Sequence, residues 1–315
     1  MIAIGIDVGG TSIKGAAIDH TGKVYEVFTL PVNAGLAGDF VANQLGDTIN
    51  EYIKAQGLEG QIAGVGLGIP GIINGVEGVV EYSANLPLWE KLNIKKILED
   101  KTGLPVKITN DANAAALGEA KLGAGKNYPS SVMLTLGTGI GGGVVIDGVL
   151  LEGNQGAGAE LGHITLVLDG RECGCGRKGC FERYASATGL IMDTKVAMEA
   201  HPESLMHKLA EEYGQVNAKV PFEAEKLGDE AAHEVIEQYI KYLGEGILNY
   251  CNIFRPNVII LCGGIANQGK PFTERVEKYL ANQDYGYKRT PKVEVTVATL
   301  GYDSGKIGAA ALFFE

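Results

Sequence analysis

No uninterrupted apolar stretch in the 315 residues approaches the roughly 20 needed to cross a bilayer. The first residues also lack a basic segment followed by a signal-type apolar run. Positive charge is in deficit, with a net charge of -11, which argues against nucleic acid or an anionic membrane as partner. Cysteine is scarce as well. There are five, three of them between Cys173 and Cys180, which suits a reducing compartment better than a disulfide scaffold. These absences together predict a cytoplasmic protein. The remaining two, Cys251 and Cys262, stand in apolar surroundings and read as core packing. What the chain has in plenty is glycine, 46 residues, set in turns between apolar runs. That pattern suggests backbone brought close to phosphate or sugar rather than disorder. The length predicts two domains or lobes.

Ile2, Ile4 and Ile6 alternate as in a strand, Gly9-Gly10-Thr11 makes a turn, and Ile13 to Ile18 returns. A third strand is expected over Lys23 to Leu30, and helical spacing from Asp39 to Ala55 predicts a helix. Strands follow at Ile62 to Ile69 and Val106 to Thr109, with a helix at Ile94 to Lys101 and another at Ala112 to Leu122. Asn110 or Asp111 can cap that last helix. The pattern then restarts: Val132 to Leu136 is a strand, 137–143 a glycine-rich turn, and Val144 to Asp147 a returning strand. This near-repeat implies two similar halves. Asp193 to Gly246 reads as helices with solvated acidic faces, to which no chemistry is assigned. Late elements are expected at Val258 to Leu261, Pro271 to Leu280, Val293 to Ala298 and Lys306 to Phe314.

The densest chemistry lies between Gly156 and Glu182. His163, Cys173, Cys175 and Cys180 are one imidazole and three thiols, the ligand set of a closed structural zinc site. Glu160 and Glu182 flank it, so the ion's work would be to hold a glycine-rich segment and whatever those acids address.

Three glycine motifs fail their structural tests. Gly137-x-Gly139-x-x-Gly142 and Gly66-x-Gly68-x-x-Gly71 need a helix directly after them to bind a dinucleotide, and none is predicted. Gly264-x-x-x-x-Gly269-Lys270 has Pro271 where a P-loop needs a hydroxyl. What remains is a pair of hairpin turns, one in each half, whose N–H groups can approach phosphate oxygens. Asp7 at the first turn could carry a magnesium ion with its waters. Lys14 reads as a solvated lysine on the hairpin.

Asp7-Val-Gly-Gly-Thr11, Leu136-Gly-Thr-Gly139, Glu160-Leu-Gly-His163 and Cys173-Gly-Cys-Gly-Arg-Lys-Gly-Cys180-Phe-Glu182 resemble the ROK family of sugar kinases and related repressors. The resemblance implies an α/β, actin-like (hexokinase-type, ribonuclease H-like) fold of two lobes with ATP and sugar in a central cleft. The small lobe would comprise 1–109 and 297–315, and the large lobe 110–296 with the zinc loop. By the same resemblance, Asp7, Gly9, Gly10 and Thr11 form the first phosphate loop and Gly137, Thr138 and Gly139 the second. Gly263 and Gly264 face the adenosine, and the zinc ligands are His163, Cys173, Cys175 and Cys180. Sugar contacts fall on Asn85, Asn110, Asp111, Glu160, His163 and Glu182, with Asp111 as catalytic base.

The cysteine motif followed by Tyr184-Ala-Ser-Ala resembles the glucokinase branch, so the expected activity is ATP- and magnesium-dependent phosphorylation of the 6-hydroxyl of glucose. That would place the protein in carbohydrate metabolism, in glycolysis. Kinases of N-acetylmannosamine, N-acetylglucosamine, fructose and allose share most of these residues, so the acceptor stays open, as does polyphosphate as a second donor. The family's repressors carry a helix-turn-helix ahead of the first strand, whereas here Met1 abuts it. A non-sugar ATPase of the actin-like superfamily would leave Glu160 and Glu182 without purpose. The family's habit implies a homodimer or homotetramer.

Overall fold

The alternation at Ile2, Ile4 and Ile6 does form a strand, β1 (Ile2–Val8), in a computed structural model that describes residues 1–285 and 288–314. The first half continues with β2 (Ser12–Asp19), β3 (Val24–Pro31), α1 (Gly38–Ala55), β4 (Ile62–Ile69), β5 (Ile72–Asn74) and β6 (Val79–Tyr82). It is completed by α2 (Ile94–Thr102), β7 (Val106–Asn110) and α3 (Asp111–Leu122). The five-stranded sheet runs β3-β2-β1-β4-β7, with β1 antiparallel to β2 and parallel to β4. One face buries Ile4, Ile6, Leu45, Ile49, Val65 and Leu67 completely.

The second sheet uses β8 (Ser131–Leu136), β9 (Ile140–Ile146), β10 (Val149–Leu150), β11 (Val258–Cys262) and β12 (Glu294–Val297). Its order, β10-β9-β8-β11-β12, repeats the first: third, second, first, fourth, fifth. The near-repeat read from the glycine turns is therefore a repeat of topology. Between β10 and β11 lie α4 (Glu182–Ala185), α5 (Ala187–Ala200), α6 (Met206–Glu212), α7 (Lys219–Lys226) and α8 (Glu230–Phe254). Helix α9 (Lys270–Gln283) precedes β12, and α10 (Ser304–Ala311) closes the described chain. No helix among the described residues is long and apolar enough to cross a membrane.

Two expectations need correction. The glycine-rich turn is shorter than 137–143, because β9 already begins at Ile140. Gly142 and Gly143 are strand glycines: a Cβ at Gly142 would overlap the Met133 carbonyl, and one at Gly143 would lie 2.6 Å from the Ala116 Cβ. The closing helix begins at Ser304 rather than Lys306.

The chain divides into two compact units, 1–131 with 143–159 and 298–315, and 132–142 with 160–297. Residues 110–131 and 143–159, expected in the second lobe, thus belong to the first. Close backbone packing explains this. Gly308 of α10 has no room for a Cβ against the Ala114 carbonyl of α3, and Gly156 has none against the Ile73 carbonyl. Gly5 and Gly66 meet the Lys306 and Ala309 carbonyls of α10 in the same way. Helix α10 is therefore seated on β1, β4 and α3 at backbone contact.

Candidate functional site

In the first unit the acidic candidates gather where the parallel strands end, the usual place for a ligand in an open α/β sheet. Asn110 closes β7 and caps α3: its Oδ1 accepts the N–H groups of Ala112 (2.9 Å) and Asn113 (3.2 Å). Its Nδ2 donates to the Gly71 carbonyl at 3.0 Å. The cap is thus Asn110, which leaves Asp111 as the first helical residue, half-buried, with Oδ1 accepting from the Ala112 N–H at 2.9 Å. A carboxylate there also meets the positive end of the helix dipole.

Asp7 sits near the end of β1, opposite Lys14 on β2 and Gly68 on β4. Gly68 in turn lies against Asp111, whose Cα would be 3.4 Å from a Cβ at that glycine. Burial, reinforced by the Asp111 charge, raises the Asp7 carboxyl above the ordinary value, while Lys306 and Lys14 pull it back. Gly9, Gly10 and Thr11 follow directly, with Gly10 and Thr11 exposed and the Gly9 N–H closing the turn on the Ser12 carbonyl at 2.9 Å. Lys14 is exposed, as expected of a hairpin lysine. Asn85 is exposed on the segment after β6.

The second unit holds the sulfur cluster. The ligand atoms of His163, Cys173, Cys175 and Cys180 all lie within 4.8 Å of one another. Cys175 Sγ is 3.6 Å from Cys180 Sγ, and Cys173 Sγ is 3.7 Å from His163 Nδ1. Four ligands around zinc with Zn–S near 2.3 Å would be separated by roughly 3.8 Å, so the set fits that ion. Backbone bonds shape the loop: Leu166 N–H to the Gly179 carbonyl at 2.8 Å, and Phe181 N–H to the Ile164 carbonyl at 2.8 Å. Gly179 has φ +77° and no space for a Cβ beneath the Val167 carbonyl, so no other residue fits there unstrained. Burial pushes the Cys173 thiol up to about 12 and raises Cys180, whereas the Arg177 backbone N–H lowers the exposed Cys175.

Glu182 joins this cluster to the second glycine turn. Its Oε1 accepts from Cys173 Sγ at 3.1 Å and lies 3.9 Å from His163 Nδ1. Its Oε2 accepts the Ile140 N–H at 3.3 Å and occupies the space where a Cβ on Gly139 would go. Glu160 is exposed just before the 3-10 turn Leu161–His163, where its carbonyl accepts the His163 N–H at 3.1 Å. Glu160, His163 and Glu182 therefore come from the same short region, while Asn85, Asn110 and Asp111 belong to the first unit.

Beside the second turn lies a cavity of about 400 Å³, lined by Gly137, Thr138, Ala187, Asn217, Lys219, Phe222, Gly264 and Gln268. Gly264 is among the lining residues, and Gly263 is adjacent in sequence and exposed. The turn is held by α5, since the Ala187 N–H reaches the Gly137 carbonyl at 2.8 Å and the Thr188 hydroxyl the Thr138 carbonyl at 2.7 Å. Asn217, Lys219 and Phe222, from the stretch Asp193–Gly246 to which no chemistry was assigned, line this cavity. Their only sequence signal was an asparagine and a lysine at the start of an otherwise ordinary amphipathic helix.

The sequence profile described as "ROK family" matches residues 3–315. A glucokinase of Thermotoga maritima is 36% identical over 316 residues, covering 99% of this chain and 97% of its own length. One from Halalkalibacterium halodurans is 34% identical over 312 residues, covering 98% and 94%. Among solved structures, a ROK family glucokinase from Streptomyces griseus in complex with glucose and AMPPNP is 31% identical, with a TM-score of 0.76 and 99% of each chain covered. Two topologically repeated sheets, a cluster of one histidine with three cysteines and whole-length similarity thus converge: the fold is of the actin-like, hexokinase type, and the chain belongs to the ROK family.

Proposed function

We propose that the protein is an ATP-dependent hexose kinase that transfers the γ-phosphoryl group to the 6-hydroxyl of glucose. The observation that carries this is the His163–Cys173–Cys175–Cys180 cluster with the Glu182 carboxylate directly beside it. It supports a structural zinc ion that holds sugar-binding groups rather than an open catalytic metal. Glucokinases similar to this chain over nearly its whole length support the same acceptor.

Phosphoryl transfer needs chiefly positioning and charge neutralisation. Asn85, Asn110 and Asp111 are donors and acceptors of the kind that sugar hydroxyls require, and so, separately, are Glu160, His163 and Glu182. Asp111 accepts the proton of the 6-hydroxyl as its oxygen bonds to the γ-phosphorus and the bond to the ADP oxygen breaks. The cavity beside Gly137 and Gly264 takes the adenosine, with Phe222 as apolar wall and Asn217, Lys219 and Gln268 as polar groups. The N–H groups of the Gly9–Thr11 turn are suited to phosphate oxygens, and so, in its own unit, is the Gly137–Gly139 turn. Magnesium would be held through Asp7 and would neutralise phosphate charge.

Assaying the purified protein with ATP and magnesium against glucose, fructose, mannose, N-acetylmannosamine and N-acetylglucosamine tests this reading. Glucose should give the highest kcat/KM; a higher value for an N-acetylated sugar or fructose would reassign the acceptor, and turnover of none would reject the activity.

A further inference from the structure

Lys306 has no part in the chemistry above, yet it is only 3% exposed. A buried ammonium is costly unless something compensates it. Its Nζ donates to Asp303 Oδ1 at 2.6 Å, across one turn at the start of α10. The adjoining Gly305 lies against Asp7: a Cβ built there would stand 3.2 Å from Asp7 Oδ1. Among the described residues no hydrogen bond reaches the Asp7 carboxylate. The charges that act on it are Asp111, of like sign, and Lys306 and Lys14, of opposite sign, with Lys306 the stronger of the two. Lys14 is exposed and screened, whereas Lys306 is fixed.

We propose that Lys306 is a further positioning residue of the phosphoryl transfer, a buried ammonium moored by Asp303 that serves as a permanent counter-charge for the Asp7–Asp111 pair and for the phosphates bound at the adjacent turn. This rests on the reading of the Asp7–Thr11 turn as a nucleotide site. Two like carboxylates at the same strand ends repel each other and an incoming polyanion. A cation behind them offsets both effects before any metal arrives. Asp303, half-exposed, fixes its direction and at the same time weakens it.

Two variants have opposite expected signs. Lys306→Met keeps the buried stem and removes the charge. In calorimetry without sugar it should bind MgATP about tenfold more weakly, with kcat lowered by a similar factor and glucose affinity within twofold of wild type. Lys306→Arg should recover part of the loss. Asp303→Asn deletes one negative charge and should bind MgATP a few-fold more tightly, even if Lys306→Met fails to fold. A purely structural role would weaken nucleotide binding in both variants, and that result, or MgATP affinity within twofold of wild type in either, overturns the proposal. If wild-type protein binds MgATP but phosphorylates no sugar, the acceptor reading falls, and these affinities still decide the role of Lys306. Failure of wild-type protein to bind MgATP would reject both.

Discussion

The two groups of candidate residues are held in place by different physics. In the first unit, Asp7 and Asp111 stand at the ends of β1 and β7, strands with mostly buried side chains, and α10 is locked on at backbone contact. Close packing of the backbone that carries them chiefly positions those acids. In the second unit, His163 ends a 3-10 turn and Glu182 opens the single-turn helix α4, and the segment between them has two isolated bridges, Thr165–Cys180 and Glu172–Lys178, and little regular structure. There, on the proposed reading, a zinc ion held by the clustered sulfur and nitrogen atoms would take over what a core does elsewhere. The contrast teaches that site geometry in this chain has one source in apolar burial and, on the zinc reading, would have another in metal coordination, and each should fail in its own way.

The largest expected effect separates chemistry from binding. Asp111→Asn should lower kcat by about 10²–10⁴-fold while glucose affinity in calorimetry stays within threefold; near-normal turnover would remove Asp111 as the base. Next comes the backbone-packed unit. Gly308→Ala places a Cβ on the Ala114 carbonyl and should cost about 1–3 kcal/mol, read as a lower midpoint in thermal unfolding with zinc content unchanged. A smaller effect is expected where the second turn meets Glu182. Gly139→Ala pushes that flexible carboxylate aside, so the KM for glucose should rise about tenfold, roughly 1.4 kcal/mol, with little change in stability. The smallest belongs to Gly174, between two ligand cysteines, where a Cβ would meet nothing within 4 Å. Gly174→Ala should leave melting, zinc content and turnover unchanged, and a clear loss there would blur the distinction between the two regions.

Much of this was legible in the chain because its determinants are local. Alternation at Ile2, Ile4 and Ile6, the Gly-Gly-Thr turn and the tight cysteine spacing each lie within a few residues. The repeated strand order was foreshadowed by two glycine turns. Other features depend on partners distant in sequence. Gly5 and Gly66 are glycine because α10, from the far end of the chain, sits on them. Phe222 looks like any core aromatic until the cavity beside it is seen. Lys306 entered the sequence reading only as the start of a closing helix, and nothing local announces its burial. The family resemblance nominated Asn85, which local pattern alone could not have told from any other exposed polar side chain.

The claim that coordination does for the second unit what packing does for the first is tested most directly by metal content and sugar affinity measured on the same protein. Elemental analysis should find about one zinc ion per chain. Stripping it with a strong chelator should weaken glucose binding by about 10–100-fold, leave MgATP affinity within twofold, and be reversed by added zinc. Protein without zinc, or chelated protein that binds glucose as tightly as before, would contradict the account.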